Sequence, residues 1–155
     1  MKPSIRQIIW TDWPALAAAW GIPLSLIASL GVPYVYAFRG ARPYEPLPLF
    51  VPIAAMTLLA GILLWRIDRI RYFFHQGQAA KGIITGIWIV RDRGRLEYAY
   101  EFNGRRWDAW SYVHKNSAVL SLAENQIVDV LVDRLRPSHA IVRDLYANRQ
   151  GTRLP

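Results

Sequence analysis

The sequence predicts a membrane α-helical hairpin of two transmembrane helices followed by a small antiparallel all-β domain of about five strands, a sheet or partly closed barrel. Three observations predict it. Residues 13–38 and 46–65 carry no formally charged side chain. From Ile83 onward the apolar pattern changes from a helical period of about 3.6 to a strand period of about 2. Inside that alternating half stands Asn103-Gly104, a strong short hairpin signal. Of 155 residues, 53% are hydrophobic and 19% charged. Concentrated as it is in the first half, that apolar content excludes a disordered chain and an ordinary soluble globule.

Residues 1–12 are expected to form a cytoplasmic flank. The run Trp13–Phe38 exceeds the roughly 20 residues that cross a bilayer and the about 7–15 of a signal-peptide core, so it reads as a retained span. Gly21 and Pro23 predict a kink near its middle, and Pro33 a break in its last turn. The second run, Pro46–Trp65, begins with Pro46, Pro48 and Pro52, where a missing backbone donor costs least. Its helix is expected to continue to about Gln76, so that residues 13–76 form the hairpin with a juxtamembrane extension. Tyr34, Tyr36, Tyr44 and Phe50 would line one interface and Trp10, Trp13, Trp65 and Tyr72 the other. The connector Arg39–Glu45 carries Arg39 and Arg42, whereas Lys2, Arg6, Arg66, Arg69, Arg71 and Lys81 lie on the opposite side. That imbalance predicts both termini on the cytoplasmic side of the membrane.

Neither span contains Asp, Glu, Lys, Arg or His, which argues against a pump, a proton relay or an axially ligated pigment. Ala17, Gly21, Ser25 and Ser29 form one small-residue row, and Ala54, Thr57 and Gly61 another. Such rows admit close helix approach, either to each other within the hairpin or to helices of a partner. Arg66, Arg69 and Arg71 are expected at the level of anionic lipid headgroups, where each charge contributes about 1 kcal/mol.

Residues 77–82 read as a glycine-flanked hinge and 83–145 as a cytoplasmic β-domain. Ile83–Val90 is the first strand and Arg91–Gly94 its turn. Leu96, Tyr98, Tyr100 and Phe102 are the buried positions of the second strand, and Arg105–Val113 is the third. Ala118–Leu122 is a weaker strand candidate, Gln126–Asp133 a strong one, and His139–Arg143 a short last strand. Residues 146–155 are expected to be a flexible tail.

Gly82-Ile-Ile-Thr-Gly86, Tyr98-Ala-Tyr-Glu-Phe-Asn-Gly104, Gln126-Ile-Val-Asp-Val-Leu-Val-Asp133 and Arg136-Pro137-Ser138 follow the two-helix anchor in that order. Together they resemble the bacterial small two-helix membrane proteins with a C-terminal β-domain of unknown function, over about residues 48–145. That family often has glycine where this chain has Glu124-Asn125. The resemblance implies a fold and no reaction.

The chemistry-bearing residues assign no catalytic, metal or cofactor site, and the chain is expected not to be an enzyme. It has no cysteine, which removes disulfides, zinc–thiolate and iron–sulfur ligation and thiol nucleophiles. His75, His114 and His139 have no metal-ligand spacing. Asp129 and Asp133 are separated by about 13 Å at strand rise, too far for a shared-proton dyad. Ser111, Ser117 and Ser121 lack the glycines of a nucleophile elbow. Net charge is +8, but residues 81–155 hold twelve bases against eight acids, too mild an excess to favour nucleic acid. Arg105, Arg106, Trp110 and Tyr112 are the candidate protein contact, since aromatics and arginine dominate interface hot spots.

These features predict a non-catalytic accessory subunit of a larger inner-membrane complex, an energy-transducing one among the options. Other integral membrane subunits and a bilayer with anionic headgroups would be its partners. The alternative is a free-standing membrane-anchored binding or sensor module for a cytoplasmic ligand or anionic lipid.

Overall fold

The computed structural model describes residues 3–39 and 50–147. Most of the connector expected at the hairpin tip, with Arg42 and Tyr44, lies outside the described residues. So do the first prolines of the second run, Pro46 and Pro48, and the segment 148–155. Helix α1 (Ile5–Thr11) is capped by Ser4, whose hydroxyl accepts from Gln7 N at 3.1 Å. Asp12 breaks the helix with extended backbone, and its carboxylate accepts from Ala15 N at 2.9 Å to cap α2 (Trp13–Phe38). Aspartate is a favoured residue at this position because its side chain satisfies a backbone donor left open by the first turn. Helix assignment runs unbroken through Pro23 and Pro33, so the expected break at Pro33 does not occur. Ser25 and Ser29 donate back to Ile22 O at 2.8 Å and Ser25 O at 2.6 Å.

Helix α3 (Phe50–Gln76) continues to Gln76, as its sequence predicts. It runs antiparallel to α2: Arg66 meets Asp12 at the start of α2, and Leu59 meets Gly21 further along. Trp13–Gly31 and Phe50–Gln76 are long and apolar enough to cross a membrane by length and composition, and only 17% and 6% of their apolar windows are buried. A core helix of a soluble protein would be mostly covered.

No six-residue hinge follows α3. Strand β1 (Gln78–Val90) begins directly after Gly77, because residues 78–83 pair with β4 (Ile127–Val132). Gly77 N donates to Phe73 O at 2.9 Å, and a Cβ on Gly77 would lie 2.3 Å from that oxygen and 3.1 Å from Leu131 Cβ. The helix-to-strand corner therefore requires glycine.

The other strands are β2 (Arg93–Phe102), β3 (Arg105–His114) and β5 (Ala140–Val142). All pairings are antiparallel, in the order β3-β2-β1-β4-β5. Asn103 and Gly104 both adopt positive φ, 54° and 70°, the backbone of a tight two-residue hairpin. Asn125 has φ 64°, and its N–H donates to Ile84 O at 2.8 Å. It thus takes the left-handed conformation that glycine would otherwise supply before the valine-rich strand. A register shift at Ile84/Gly86 marks a bulge where β1 passes from pairing both β2 and β4 to pairing β2 alone, and bulges of this kind bend a strand.

The sheet nearly closes into a barrel. Tyr98, buried on β2, donates to Ala140 O on β5 at 2.7 Å and lies 3.3 Å from Ser111 Oγ on β3. Tyr100 donates to Pro137 O at 2.5 Å. The Tyr98 hydroxyl rather than a backbone ladder thus links the two edges, and Tyr100 ties β2 to the loop before β5.

The core extends beyond 83–145. Ile8 of α1, Ile70 and Phe73 of α3, and Tyr146 join Leu145 and the sheet's buried face. The N-terminal flank is therefore part of the domain, and residue 146 belongs to the core through α5 (Arg143–Tyr146) rather than to a tail. The weak strand candidate at Ala118–Leu122 is instead the short helix α4 (Ser117–Leu120), because Asn116 Oδ1 accepts from Val119 N at 2.9 Å and caps it.

Gly77→Ala is expected to destabilise the fold by about 1–3 kcal/mol through overpacking at the corner. Gly61→Ala, where a Cβ meets nothing within 4 Å, is neutral or gains up to about 1 kcal/mol in helix propensity; thermal denaturation of the two variants checks both. The buried tyrosines set a second expectation. Burial raises the Tyr98 phenol above its ordinary pKa and pushes Tyr100 up to about 12. Both groups therefore stay neutral in the fold after their unfolded counterparts ionise near about pH 10. Their stabilisation is complete below that pH and is lost as pH rises toward the folded values. A midpoint that holds steady from neutral pH to about 9 and then falls is expected, with Tyr100→Phe reducing the alkaline fall.

Candidate functional site

At the foot of the two long helices, Asp12 is fully buried. Arg66 of α3 donates from Nε to Asp12 Oδ1 at 3.1 Å and forms a second bond from Nη2 to Oδ2. This is the two-pronged geometry for which guanidinium is suited and an ammonium is not. Tyr146 is buried beside the same carboxylate, and burial together with the Asp12 charge holds its phenol well above the ordinary value. Thr11 Oγ1 and Trp10 O accept from Asn116 Nδ2 at 3.1 and 3.2 Å. Asp12 also forms an isolated bridge with Val113 on β3. One cluster thus joins α1, α2, α3, α5 and the sheet.

This corrects the expectation for Arg66. Its guanidinium is committed to Asp12 inside the protein, and its side chain is only 21% exposed. Arg69 is half-buried with Cζ 5.4 Å from the Trp65 ring centre, and Arg71 is exposed. Asp12 escaped the sequence reading as a functional position, although an acid directly before an uncharged run is a helix-cap signal. Nothing local marks its partner, which lies 54 residues away.

The two small-residue rows do not pack against each other. Gly21 faces α3, where a Cβ would lie 2.9 Å from Leu59 Cδ1, and Ser25 and Ser29 are half-buried; Ala17 is exposed. Ala54, Thr57 and Gly61 are all exposed. Leu59, Arg66, Ile70 and Phe73 share one face of α3, so the row falls about 120–180° away from Arg66 at about 100° per residue.

On the outer face of β3, Trp110 and Tyr112 are exposed and meet edge-to-face with ring centres 4.7 Å apart. Arg105 and Arg106 do not join them. Arg105 lies 4.8 Å over Trp107, and Arg106 pairs with Asp108 at 3.6 Å. The basic neighbours are instead Arg95, whose Cζ is 4.8 Å over Trp110, and Arg93, whose Cζ is 6.0 Å over Trp13. The register puts Trp88, Arg95 and Tyr112 on one rung across β1, β2 and β3. Alternation around the Arg91-Asp92 turn carried that signal in the sequence.

Among the described residues, no three His, Cys, Asp or Glu side chains come together as a metal site. Asp129 pairs with Lys81 at 2.5 Å on the surface, an exposed ion pair of small energetic weight. Near α1 and α4, Arg6, Trp10, Asn116, Ser121 and Asp144 line an open groove of about 700 Å³, without a constellation for bond-making chemistry.

Arg66→Met leaves a buried carboxylate without its counter-charge and is expected to destabilise by about 3–5 kcal/mol, whereas Asp12→Asn, which keeps a capping oxygen, loses less. Chemical denaturation of both variants checks the order; an arginine serving headgroups alone would leave stability nearly unchanged. Compared with protein-family models, curated proteins and solved structures, the chain finds no match.

Proposed function

We propose that this chain is a non-catalytic accessory subunit of a larger bacterial inner-membrane complex, with α2 and α3 crossing the bilayer and both termini cytoplasmic. The observation that carries the reading is the outward row Ala54, Thr57 and Gly61 on α3. It is exposed, and α2 contacts the face opposite to it. Helix association in lipid relies on close packing rather than on the hydrophobic effect, so small residues form the natural contact for a partner's helix. The low burial of both apolar helices supports bilayer placement. The resemblance to small two-helix membrane proteins belongs to the same proposal.

Thr57 adds a feature suited to that role. Its hydroxyl donates to Ile53 O at 2.8 Å within the helix, so it presents little unsatisfied polarity to lipid or to another helix. The β-domain, joined to α3 without a hinge, would dock on the same assembly in a fixed orientation.

The test is purification of the tagged full chain in mild detergent, with mass spectrometry of co-purifying proteins, alongside Gly61→Leu. Stoichiometric membrane partners with the native chain, lost in the variant while its unfolding midpoint stays unchanged, are expected. A native chain that purifies as a lone monomer or homodimer overturns the reading.

A further inference from the structure

Between the first turn of α2 and the outer face of the sheet lies a recess of about 630 Å³. Trp13 forms one wall, and Trp88, Val90, Arg93, Arg95 and Tyr112 the other. Trp88 and Val90 are each 68% exposed, a large apolar area to leave open to water. Two adjacent rungs build this wall. Trp88, Arg95 and Tyr112 form one, and Val90, Arg93 and His114 the next. Each rung sets an apolar side chain beside a guanidinium and an aromatic ring.

The charge around the recess favours an anion. Arg91, Arg93, Arg95 and Lys115 lie at this end of the sheet against Asp92 and Glu97, and the Arg95–Glu97 pair at 2.9 Å cancels one base with one acid and leaves Arg91, Arg93 and Lys115 against Asp92. The depth of the recess is set by the helix. Trp13 opens the uncharged run, so in a bilayer-spanning α2 it sits at the boundary between water and hydrocarbon, where tryptophan is enriched. Above it, Ala17, Trp20, Leu24 and Ile27 continue on the same helix face, all exposed. A cationic recess therefore opens directly below an uncovered apolar stripe.

We propose that the recess binds an anionic phospholipid of the surrounding bilayer, its phosphate at Arg93 and Arg95 and an acyl chain along Trp13, Ala17, Trp20 and Leu24. The combination of cation, interfacial aromatic rings and adjoining apolar stripe matches an amphipathic anion and offers a free phosphate nothing for its other half. The proposal rests on the bilayer placement of α2 and α3 given above and not on any protein partner.

The absence of cysteine permits single fluorophores at Asp92→Cys beside the recess, at Glu101→Cys toward the opposite hairpin, and at Leu58→Cys on α3. Each labelled full chain is placed in nanodiscs of phosphatidylcholine and phosphatidylglycerol containing quencher lipids. Headgroup quenchers are expected to act several-fold more on the probe at position 92 than on that at 101, while chain quenchers reach position 58. Equal quenching at 92 and 101, with position 58 still reached, overturns the lipid recess and leaves the anchor standing. A position 58 that no chain quencher reaches overturns both. A probe at 92 shielded from lipid and water quenchers alike assigns the recess to a protein and overturns the proposal. Native mass spectrometry gives the second readout. Arg93→Gln with Arg95→Gln lowers retention of phosphatidylglycerol relative to phosphatidylcholine, by about fivefold per charge removed; unchanged relative retention overturns the anion site.

Discussion

A carboxylate with none of its surface in water is costly unless a counter-charge and hydrogen-bond donors meet it. Asp12 is met by Arg66 and by the backbone of Ala15, and the rest of the architecture depends on that arrangement. The bond fixes the rotation of α3 about its own axis. With Arg66 turned inward, Ile70 and Phe73, one and two turns further on, enter the sheet's core. Leu59, two turns earlier, meets Gly21. The same rotation turns Ala54, Thr57 and Gly61 outward. A hydrophobic contact alone would tolerate a small rotation of the helix. The forked guanidinium contact restricts it, because both nitrogens have defined acceptors.

That bond also explains why the helices and sheet make one unit rather than an anchor with a tethered domain. Gly77 leaves no slack between α3 and β1, Ile8 inserts into the core from the N-terminal side, and Tyr146 closes over Asp12 from the C-terminal side. The barrel's own closure is similarly indirect. The Tyr98 hydroxyl meets both edge strands and the Tyr100 hydroxyl ties β2 to the loop before β5, so the seam relies on a few polar contacts. Buried phenols of this kind are strong positional constraints because an unmade bond there leaves a polar group without solvent.

The parts legible in the sequence were those whose cause is local. Alternation identified Leu96, Tyr98, Tyr100 and Phe102 as the buried positions of β2, and Asn103-Gly104 marked the turn between β2 and β3. Trp110 and Tyr112 belong, by the same alternation, to the face opposite Trp107. What escaped was decided at long range. Residues 77–82 read as a hinge because alanine and glycine are poor strand formers, but from Gln78 onward pairing with β4 overrides that preference. Ala118–Leu122 has a strand-like composition, yet the Asn116 cap makes a helical turn there. Arg66 looked like an ordinary positive flank, since nothing near it in sequence reveals a buried acid 54 residues earlier. The outer aromatic patch is half legible: its β3 members stand out in the sequence, but their basic neighbours come from β2, across the sheet, and not from the adjacent Arg105 and Arg106.

The geometry of α2 bears on whether the two proposed contacts can coexist. Taking Trp13 as origin, Ala17, Trp20 and Leu24 lie within about 40° of it, whereas Gly21, Ser25 and Ser29 lie about 80–160° around the helix. A lipid on the first stripe therefore leaves the α2–α3 seam untouched. On α3, the outward row points away from that seam altogether. Lipid and partner helix thus address different helices and different faces, and neither has to displace the other. Because the Asp12–Arg66 pair holds both helices to the same foot, loosening it would shift the recess and the outward row together. A defect at that pair and a defect confined to one surface are for that reason distinguishable: the first changes stability and both contacts, the second a single contact in an otherwise unaltered fold.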